Sequence, residues 1–393
     1  MSSEIISQAR ALLETSQPDQ ALSLLHPHLN SNLDSIPFLT IFGETLLENN
    51  QLEQAYQVLY KACELDPQAE SGAEKFLYLG QIIGGMDGVE SIDIGLKKLM
   101  SQLEKTNNGD GVDDEILKLY DGDVDKLRHW IVGKLNSGIF AQIEIWMTDL
   151  CMSPEAEQKC NELIEYSLSL DPGNAEAYSL LSSIRISQQR PAEAIDALTK
   201  SWELFSRKKM ELENSANKLI ENKEDAFDVG MEYVELIQPL LTLSRFAVEL
   251  EMYDVAMVIA SSVQDINESV LDSYYIEALA NLFKAKQLLS NHHSSGGEIK
   301  EDYRDIDVGV LKKSDNPDIQ TILKEARSSL TSGYKIINSD AVEDCDPGLV
   351  DQVNELLQAL GGPIMSELLP KRTADEEEEG WEDEIQSEDE DEQ

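Results

Sequence analysis

Apolar residues recur at helical spacing in two adjoining stretches of Asn32–Pro67. In each stretch they return every three or four positions, which places them on one face of an amphipathic helix. These positions are Leu39, Phe42, Leu46 and Leu47 in the first stretch and Ala55, Leu59 and Ala62 in the second. Polar residues 49–51 separate the stretches, and Asp66-Pro67 stops the second one. The pattern predicts two helices joined by a tight turn and packed through their apolar faces.

The pattern returns at a fixed interval elsewhere in the chain. Ala21 and Leu25 lie 34 residues before Ala55 and Leu59. Farther along, the same interval of 34 residues relates Cys160, Ile164 and Ser167 to Ala194, Leu198 and Ser201. A fixed period of this length is typical of helical repeat arrays, in which each helix pair is one repeat.

The repeat resembles the tetratricopeptide repeat, whose eight consensus positions are occupied in this chain by Leu39, Phe42, Gly43, Leu46, Ala55, Leu59, Ala62 and Pro67. The resemblance implies an all-α fold, a tetratricopeptide-like helical-repeat superhelix whose first helices line the inner side. Val350–Leu360 reads as a terminal capping helix, and beyond Pro370 the chain is too charged and too poor in apolar residues to fold. We therefore also predict a disordered acidic C-terminal tail.

Breaks in the period and shifts in composition divide the chain into segments. The prediction is N-terminal repeats over 1–103, a polar loop over 104–126, central repeats with an extra helix over 127–290, a flexible loop over 291–318, C-terminal helices and a cap over 319–362, and the acidic tail over 363–393.

Charge narrows the choice of partners. The 393 residues include 76 acidic and 31 basic side chains, for a formal net charge of −45. Thirteen of the acids lie in residues 375–393. Because the acids in the rest of the chain still outnumber the bases, the body of the chain is acidic as well. Such a surface is unsuited to nucleic acid, where each phosphate contact needs a Lys or Arg, and to anionic membranes. The natural partners are basic.

The sequence carries no sign of a disulfide framework, a secretory signal or a membrane span. Its four cysteines form no C-x-x-C pair, and its first residues lack a basic and an apolar region. No apolar run approaches the roughly 18 residues that a membrane span needs. We expect a soluble, intracellular protein.

Catalytic and metal-binding motifs are also missing, so we expect no enzyme and no cofactor. Residues 121–125 (Asp-Gly-Asp-Val-Asp) begin like a calcium loop, but Lys126 stands where that loop needs Gly and Val132 where it needs Glu. A loop leading into a helix at Leu127 is the better interpretation.

The inner face of the repeats is the candidate binding surface. The register places inward the residues Glu44, Leu47, Glu48, Glu74, Leu77, Ile145, Asp149, Met152, Glu176, Glu249, Asp272 and Tyr275. Carboxylates interleaved with apolar side chains suit a peptide that is basic and partly hydrophobic. The alternative is a solvated face on an acidic protein.

The tail is a second candidate. It is a polyanion that can compete with nucleic acid for basic partners, with Trp381 beside Glu382 and Asp383 adding an apolar contact. Ser387 precedes Glu-Asp-Glu and is a candidate phosphorylation site. The alternative is a tail that only keeps the protein soluble.

Repeats, acidic body and the Glu-Gly-Trp-Glu-Asp-Glu tail together resemble the fungal dedicated assembly chaperones of large-subunit ribosomal protein four. The resemblance implies a chaperone that captures this newly made basic protein through an internal loop or extension and keeps it soluble. It also implies escort from cytoplasm to nucleus for pre-60S assembly, with nuclear import machinery engaged through the client. The alternatives are a scaffold or adaptor built from the same repeats, or a chaperone for another basic client such as a histone.

Overall fold

The computed structural model describes residues 2–109, 122–218, 223–290 and 306–368. Asp121 of the calcium-like stretch lies outside these residues, as do the tail residues Trp381, Glu382, Asp383 and Ser387.

The described chain folds into helices joined mostly by short turns. The α-helices are α1 (Ser2–Glu14), α2 (Pro18–Leu25), α3 (Ile36–Glu48), α4 (Leu52–Leu65), α5 (Glu74–Ile83), α6 (Gly85–Asn108), α7 (Val124–Met147), α8 (Ala156–Leu170), α9 (Ala175–Ser187), α10 (Pro191–Lys218), α11 (Lys223–Glu235), α12 (Ile237–Glu249), α13 (Tyr253–Ile266), α14 (Leu271–Leu289), α15 (Val308–Leu311), α16 (Pro317–Ile337), α17 (Pro347–Leu360) and α18 (Met365–Leu368). Two 3-10 helices, His26–Ser31 and Asp340–Asp344, complete the set.

Packing divides the described residues into two compact units, one within residues 1–231 and one within residues 232–393. In the first unit, α1 to α10 form consecutive pairs, and each pair packs on the next. The first helices of neighbouring pairs also contact one another, so that α1, α3, α5, α7 and α9 form one continuous row. We call the solvent-facing side of this row the first-helix face.

The second unit repeats the scheme on a smaller scale. Helices α12, α13 and α14 pack as in a repeat and a half, and α16 packs along α14. Helix α17 ends at Leu360, the next residue Gly361 has a left-handed φ of 109°, and the chain then turns back onto α16. The Arg327 side chain holds this return by donating to the carbonyl oxygens of Gly361, Gly362 and Pro363.

The predicted fold class is confirmed: the described residues are helical without a strand, and the helix pairs stack as tetratricopeptide repeats do. The consensus residues lie where that fold needs them, since Leu39, Phe42, Ala55 and Leu59 are all buried. The segment boundaries read from composition stay a prediction. The packing places the boundary between the two units inside α11.

Helix α7 departs from the predicted register. The register places Asp149 and Met152 on the inner face of the repeats, whereas α7 begins at Val124 and ends at Met147, before both residues. Its start is fixed by Asp123, whose Oδ1 accepts hydrogen bonds from the backbone N–H of Asp125 and Lys126. The calcium-like stretch thus supplies a helix N-cap, as its interpretation as a loop before a helix implies.

A buried ion pair fixes the turn between α4 and α5. Lys75 is fully buried and its Nζ lies 2.8 Å from Oδ2 of Asp66, which is 6% exposed. Asp66 also accepts hydrogen bonds from the backbone N–H of Glu70 and Ser71. Burial alone would raise the pKa of Asp66, but the Lys75 ammonium and these two donors outweigh it and hold that pKa below its usual value.

Within the described ranges, no helix is both long and apolar enough to cross a bilayer.

The contact between α5 and α6 yields a stability prediction. A Cβ built on Gly80 would lie 2.6 Å from the carbonyl oxygen of Gly88 and 2.5 Å from Ile92, whereas a Cβ on Gly133 in α7 meets nothing within 4 Å. We expect Gly80→Ala to lower the free energy of unfolding by about 1–3 kcal/mol because the backbone carbonyl cannot move aside. The control Gly133→Ala should raise it by about 0.5–1 kcal/mol because alanine favours an exposed helix. Urea denaturation measures both, and equal effects would contradict close packing at Gly80.

Candidate partner-binding surface

On α3, the three side chains that the register predicts to face inward all reach solvent. Glu44 and Leu47 are half-buried and Glu48 is exposed, whereas Phe38, Leu39, Ile41, Phe42, Thr45 and Leu46 are buried. At these three positions, α3 therefore presents two carboxylates and one apolar side chain to solvent.

Tyr78 links α3 to α5 across the first-helix row. Its phenol donates a hydrogen bond to Oε1 of Glu44 over 2.6 Å. Burial raises the pKa of Tyr78 well above its ordinary value, the Glu44 and Glu74 carboxylates raise it further, and Arg10 of α1 acts in the opposite direction. The structure thus gathers Glu44 and Glu74 around one phenol.

The α3–α5 part of this face is acidic without compensation from its own helices. Helix α3 contains no Lys or Arg, and the one cation of α5 is Lys75, which is fully buried against Asp66. A basic side chain that approaches this surface therefore meets carboxylates and apolar groups, with Arg10 of α1 as the nearby cation.

Leu77 and Ile145, by contrast, do not reach solvent. They are 3% and 6% exposed and belong to the core of the first unit. The close approach of glycines explains this burial, because the positions where Cβ atoms would stand on Gly95 and Gly138 lie within 3.0 Å of the Leu77 side chain, and that on Gly88 lies 3.3 Å from Ile145. Both side chains stabilise the fold and lie outside the accessible surface.

Asp149 and Met152 lie in the turn between α7 and α8, because α7 ends five residues before Met152. Asp149 is exposed and Met152 is 93% exposed. Asp149 is held by the α5–α6 turn, whose Gly85 backbone N–H donates to its Oδ2 over 2.8 Å. Glu176, at the start of α9, is exposed.

In the second unit the predicted residues lie on α12 and α14, two first helices that contact each other. Glu249, Asp272 and Tyr275 are half-buried there. Asp272 forms an ion pair with Arg245 of α12, so this part of the surface contains a cation and is less uniformly acidic than α3 and α5.

Sequence reasoning missed Tyr78 and the exposed apolar residues at the α5–α6 turn. Tyr78 follows directly after Leu77, and a rotation of one residue about the helix axis decides which of the two reaches solvent. The sequence feature that could have revealed the exposed residues was the pair Gly84-Gly85. Two adjacent glycines permit a sharp turn between helices, and the side chains that flank such a turn are exposed to solvent.

Comparisons with known proteins fit this architecture. The family model described as the ACL4 C-terminal domain matches residues 269–386. A Schizosaccharomyces pombe protein named "Probable assembly chaperone of rpl4" is 27% identical over 276 residues, which cover 65% of this chain and 76% of the relative. An Emericella nidulans protein of the same name is 28% identical over 214 residues, covering 51% of this chain and 49% of the relative.

This chain resembles the assembly chaperones of ribosomal protein L4. The resemblance expected from the repeats and the tail is thereby confirmed. A solved structure titled "Assembly Chaperone of RpL4 (Acl4) (Residues 1-338)" superimposes with a TM-score of 0.57 at 20% identity, over 74% of this chain and 99% of that one, which shows a shared fold. The relatives are named as chaperones and not as enzymes, in keeping with the missing catalytic motifs.

The half-buried phenol of Tyr78 gives a pH prediction. Because the pKa of Tyr78 is raised in the folded protein, the unfolded chain ionises first, so this group's contribution to stability is intact below about pH 10 and falls as the pH rises further. We expect Tyr78→Phe to reduce the alkaline slope of unfolding free energy by up to about 1.4 kcal/mol per pH unit.

Urea denaturation between pH 8 and pH 11 measures that slope. Tyr60→Phe serves as the control, since Tyr60 is 45% exposed. The slope that remains in Tyr78→Phe belongs to other tyrosines such as Tyr253, whose pKa burial raises to about 12. An unchanged slope in Tyr78→Phe would contradict the half-buried, hydrogen-bonded phenol.

Proposed function

We propose that this protein is a dedicated chaperone of a newly synthesised basic protein of the large ribosomal subunit, ribosomal protein L4. It keeps this client soluble, accompanies it from cytoplasm to nucleus and releases it for assembly into the pre-60S particle. Nuclear import machinery joins through the client. The observation that carries the proposal is the similarity over 276 residues to a protein named as a probable assembly chaperone of rpl4.

The chemistry of the first-helix face supports the choice of a basic client. Glu44, Glu48 and Glu74 lie on α3 and α5, whose one cation is buried, and Leu47 adds an apolar contact among them. A ribosomal protein segment is rich in Lys and Arg and stays unfolded away from RNA. An acidic surface attracts such a segment over several ångströms and increases its association rate.

The net charge supports the protective and transport roles. A formal charge of −45 offsets the positive charge of the client, so that the complex is less prone to bind nucleic acid and other polyanions nonspecifically. Ribosomal RNA carries a denser array of negative charge and can take the client over at the assembly site. Residence in both cytoplasm and nucleus follows from this sequence of events.

Affinity purification tests the function as a whole. The tagged full-length chain is isolated shortly after a pulse of synthesis, and the bound proteins are identified by mass spectrometry. We expect one dominant large-subunit ribosomal protein, L4, that dissociates as salt is raised. Histones in its place would indicate another basic client. A set of folded, neutral proteins that stay bound at high salt would indicate an adaptor.

Charge reversal tests the binding surface. We expect Glu48→Lys/Glu176→Lys to lower the affinity for purified L4 by about tenfold at low salt, mainly through slower association, because both exposed carboxylates lie on first helices. The control Glu53→Lys/Glu64→Lys makes the same change of charge at exposed positions of α4, a second helix. Biolayer interferometry at two salt concentrations measures both, and equal losses would mean that net charge matters and the first-helix face does not.

A further inference from the structure

Two turns meet at one edge of the first unit. Gly84 and Gly85, between α5 and α6, have left-handed φ angles of 65° and 55°. This conformation directs the Gly85 backbone N–H to Oδ2 of Asp149 in the α7–α8 turn, 2.8 Å away. A Cβ on Gly84 would collide with the same oxygen, so only glycine fits there. The Asp149 carboxylate thus joins the two turns.

Exposed apolar side chains flank this junction on both turns. Ile83 is 38% exposed, Met86 is 49% exposed and Met152 is 93% exposed. We call these three residues the turn-edge patch. Methionine is flexible and polarisable, and it is typical of surfaces that adapt to apolar partners of varied shape. Single exposed apolar residues are common on protein surfaces, but three of them around one fixed junction form a patch that calls for an explanation.

The surroundings of the turn-edge patch are acidic. Residues 83–96 and 144–158 contain no Lys, Arg or His. They contain the carboxylates of Asp87, Glu90, Asp93, Glu144, Asp149, Glu155 and Glu157. All of these except Asp93 are exposed, and Asp93 accepts a hydrogen bond from Gln142.

We propose that the turn-edge patch is a second docking site, which binds an apolar stretch of the client flanked by Lys or Arg. The inference rests on the proposed function and adds a place and a mode of binding to it. Apolar side chains of the client contact Ile83, Met86 and Met152, and its flanking cations lie against the surrounding carboxylates. The first-helix face attracts the client by charge, whereas this site adds apolar contact that salt does not screen.

The charge around the turn-edge patch favours an apolar segment with basic flanks over the other candidate partners. A second copy of the chain would place the same carboxylates against each other in a symmetric contact, which costs free energy. The acidic C-terminal residues 375–393 would meet the same repulsion. A neutral apolar partner would leave the surrounding carboxylates without counter-charges. An apolar segment with basic flanks satisfies both parts of the site.

The first test measures affinity for purified ribosomal protein L4 with the full chain. We expect Ile83→Ser/Met86→Ser/Met152→Ser to weaken binding about tenfold or more, and to do so equally at low and high salt. The matched control Leu52→Ser/Met210→Ser/Val258→Ser removes three apolar residues that are 57%, 55% and 54% exposed elsewhere, and its affinity should stay within about twofold of the unmodified chain. Thermal unfolding verifies that both triple variants fold.

The outcomes separate the two proposals. Binding of L4 by the unmodified chain, with equal affinity in the patch variant and its control, would overturn the turn-edge patch and leave the proposed function intact. A failure of the unmodified chain to bind L4 any better than it binds lysozyme, a basic protein of another class, would overturn the proposed function.

The second test locates the bound segment through a native thiol. Cys151 is exposed beside Met152, whereas Cys63 and Cys160 are buried, and burial raises their thiol pKa values to about 12 and about 11. With Cys345 replaced by Ser, a benzophenone maleimide therefore labels Cys151 selectively.

Irradiation should cross-link the labelled chain to an apolar segment of L4 with basic flanks, identified by mass spectrometry. The control carries Cys151→Ser and Gln57→Cys, which moves the label to an exposed position of α4. Cross-links between two copies of the chain, or equal yields from both label positions, would contradict the assignment.

Discussion

Each helix pair in this protein leaves one apolar face uncovered, and only the next pair can cover it. This constraint sets the whole arrangement, because stacking aligns α1, α3, α5, α7 and α9 in one continuous row. It also divides the residues of each first helix by role. Most face the core, as seven of the thirteen residues of α3 do, and the few that remain outside carry the surface chemistry.

Two kinds of surface result from this division in the first unit. On α3 and α5 the charged side chains that reach solvent are all carboxylates, because the cation of α5 is buried. At the junction of the α5–α6 and α7–α8 turns, apolar side chains stand among carboxylates around the bond from Gly85 to Asp149. In the proposed function, the first surface meets basic parts of the client and the second meets an apolar stretch of it.

The fold and the α3 surface were predictable because consensus residues fix the register there. The register failed where the chain leaves the 34-residue period. Helix α7 ends at Met147, so Asp149 and Met152 lie in a turn, a change that spacing alone does not reveal. Leu77 and Tyr78 show a second reason why the accessible residues were not all predictable. Glycines of α6 and α7 leave room for the Leu77 side chain in the core, so its neighbour Tyr78 lies nearer the surface. Long-range contacts such as Gly85 to Asp149 span 64 residues and leave no local pattern.

The ion pair of Asp66 and Lys75 makes the α4–α5 turn insensitive to ionic strength. Counterions reach exposed pairs such as Lys61 and Asp34 and weaken them, but they do not reach a lysine that is fully buried. The turn that orients α5 therefore keeps its electrostatic anchor in concentrated salt, while attraction at the exposed carboxylates fades. Raised ionic strength thus weakens attraction at the exposed surface and spares this buried anchor of the scaffold.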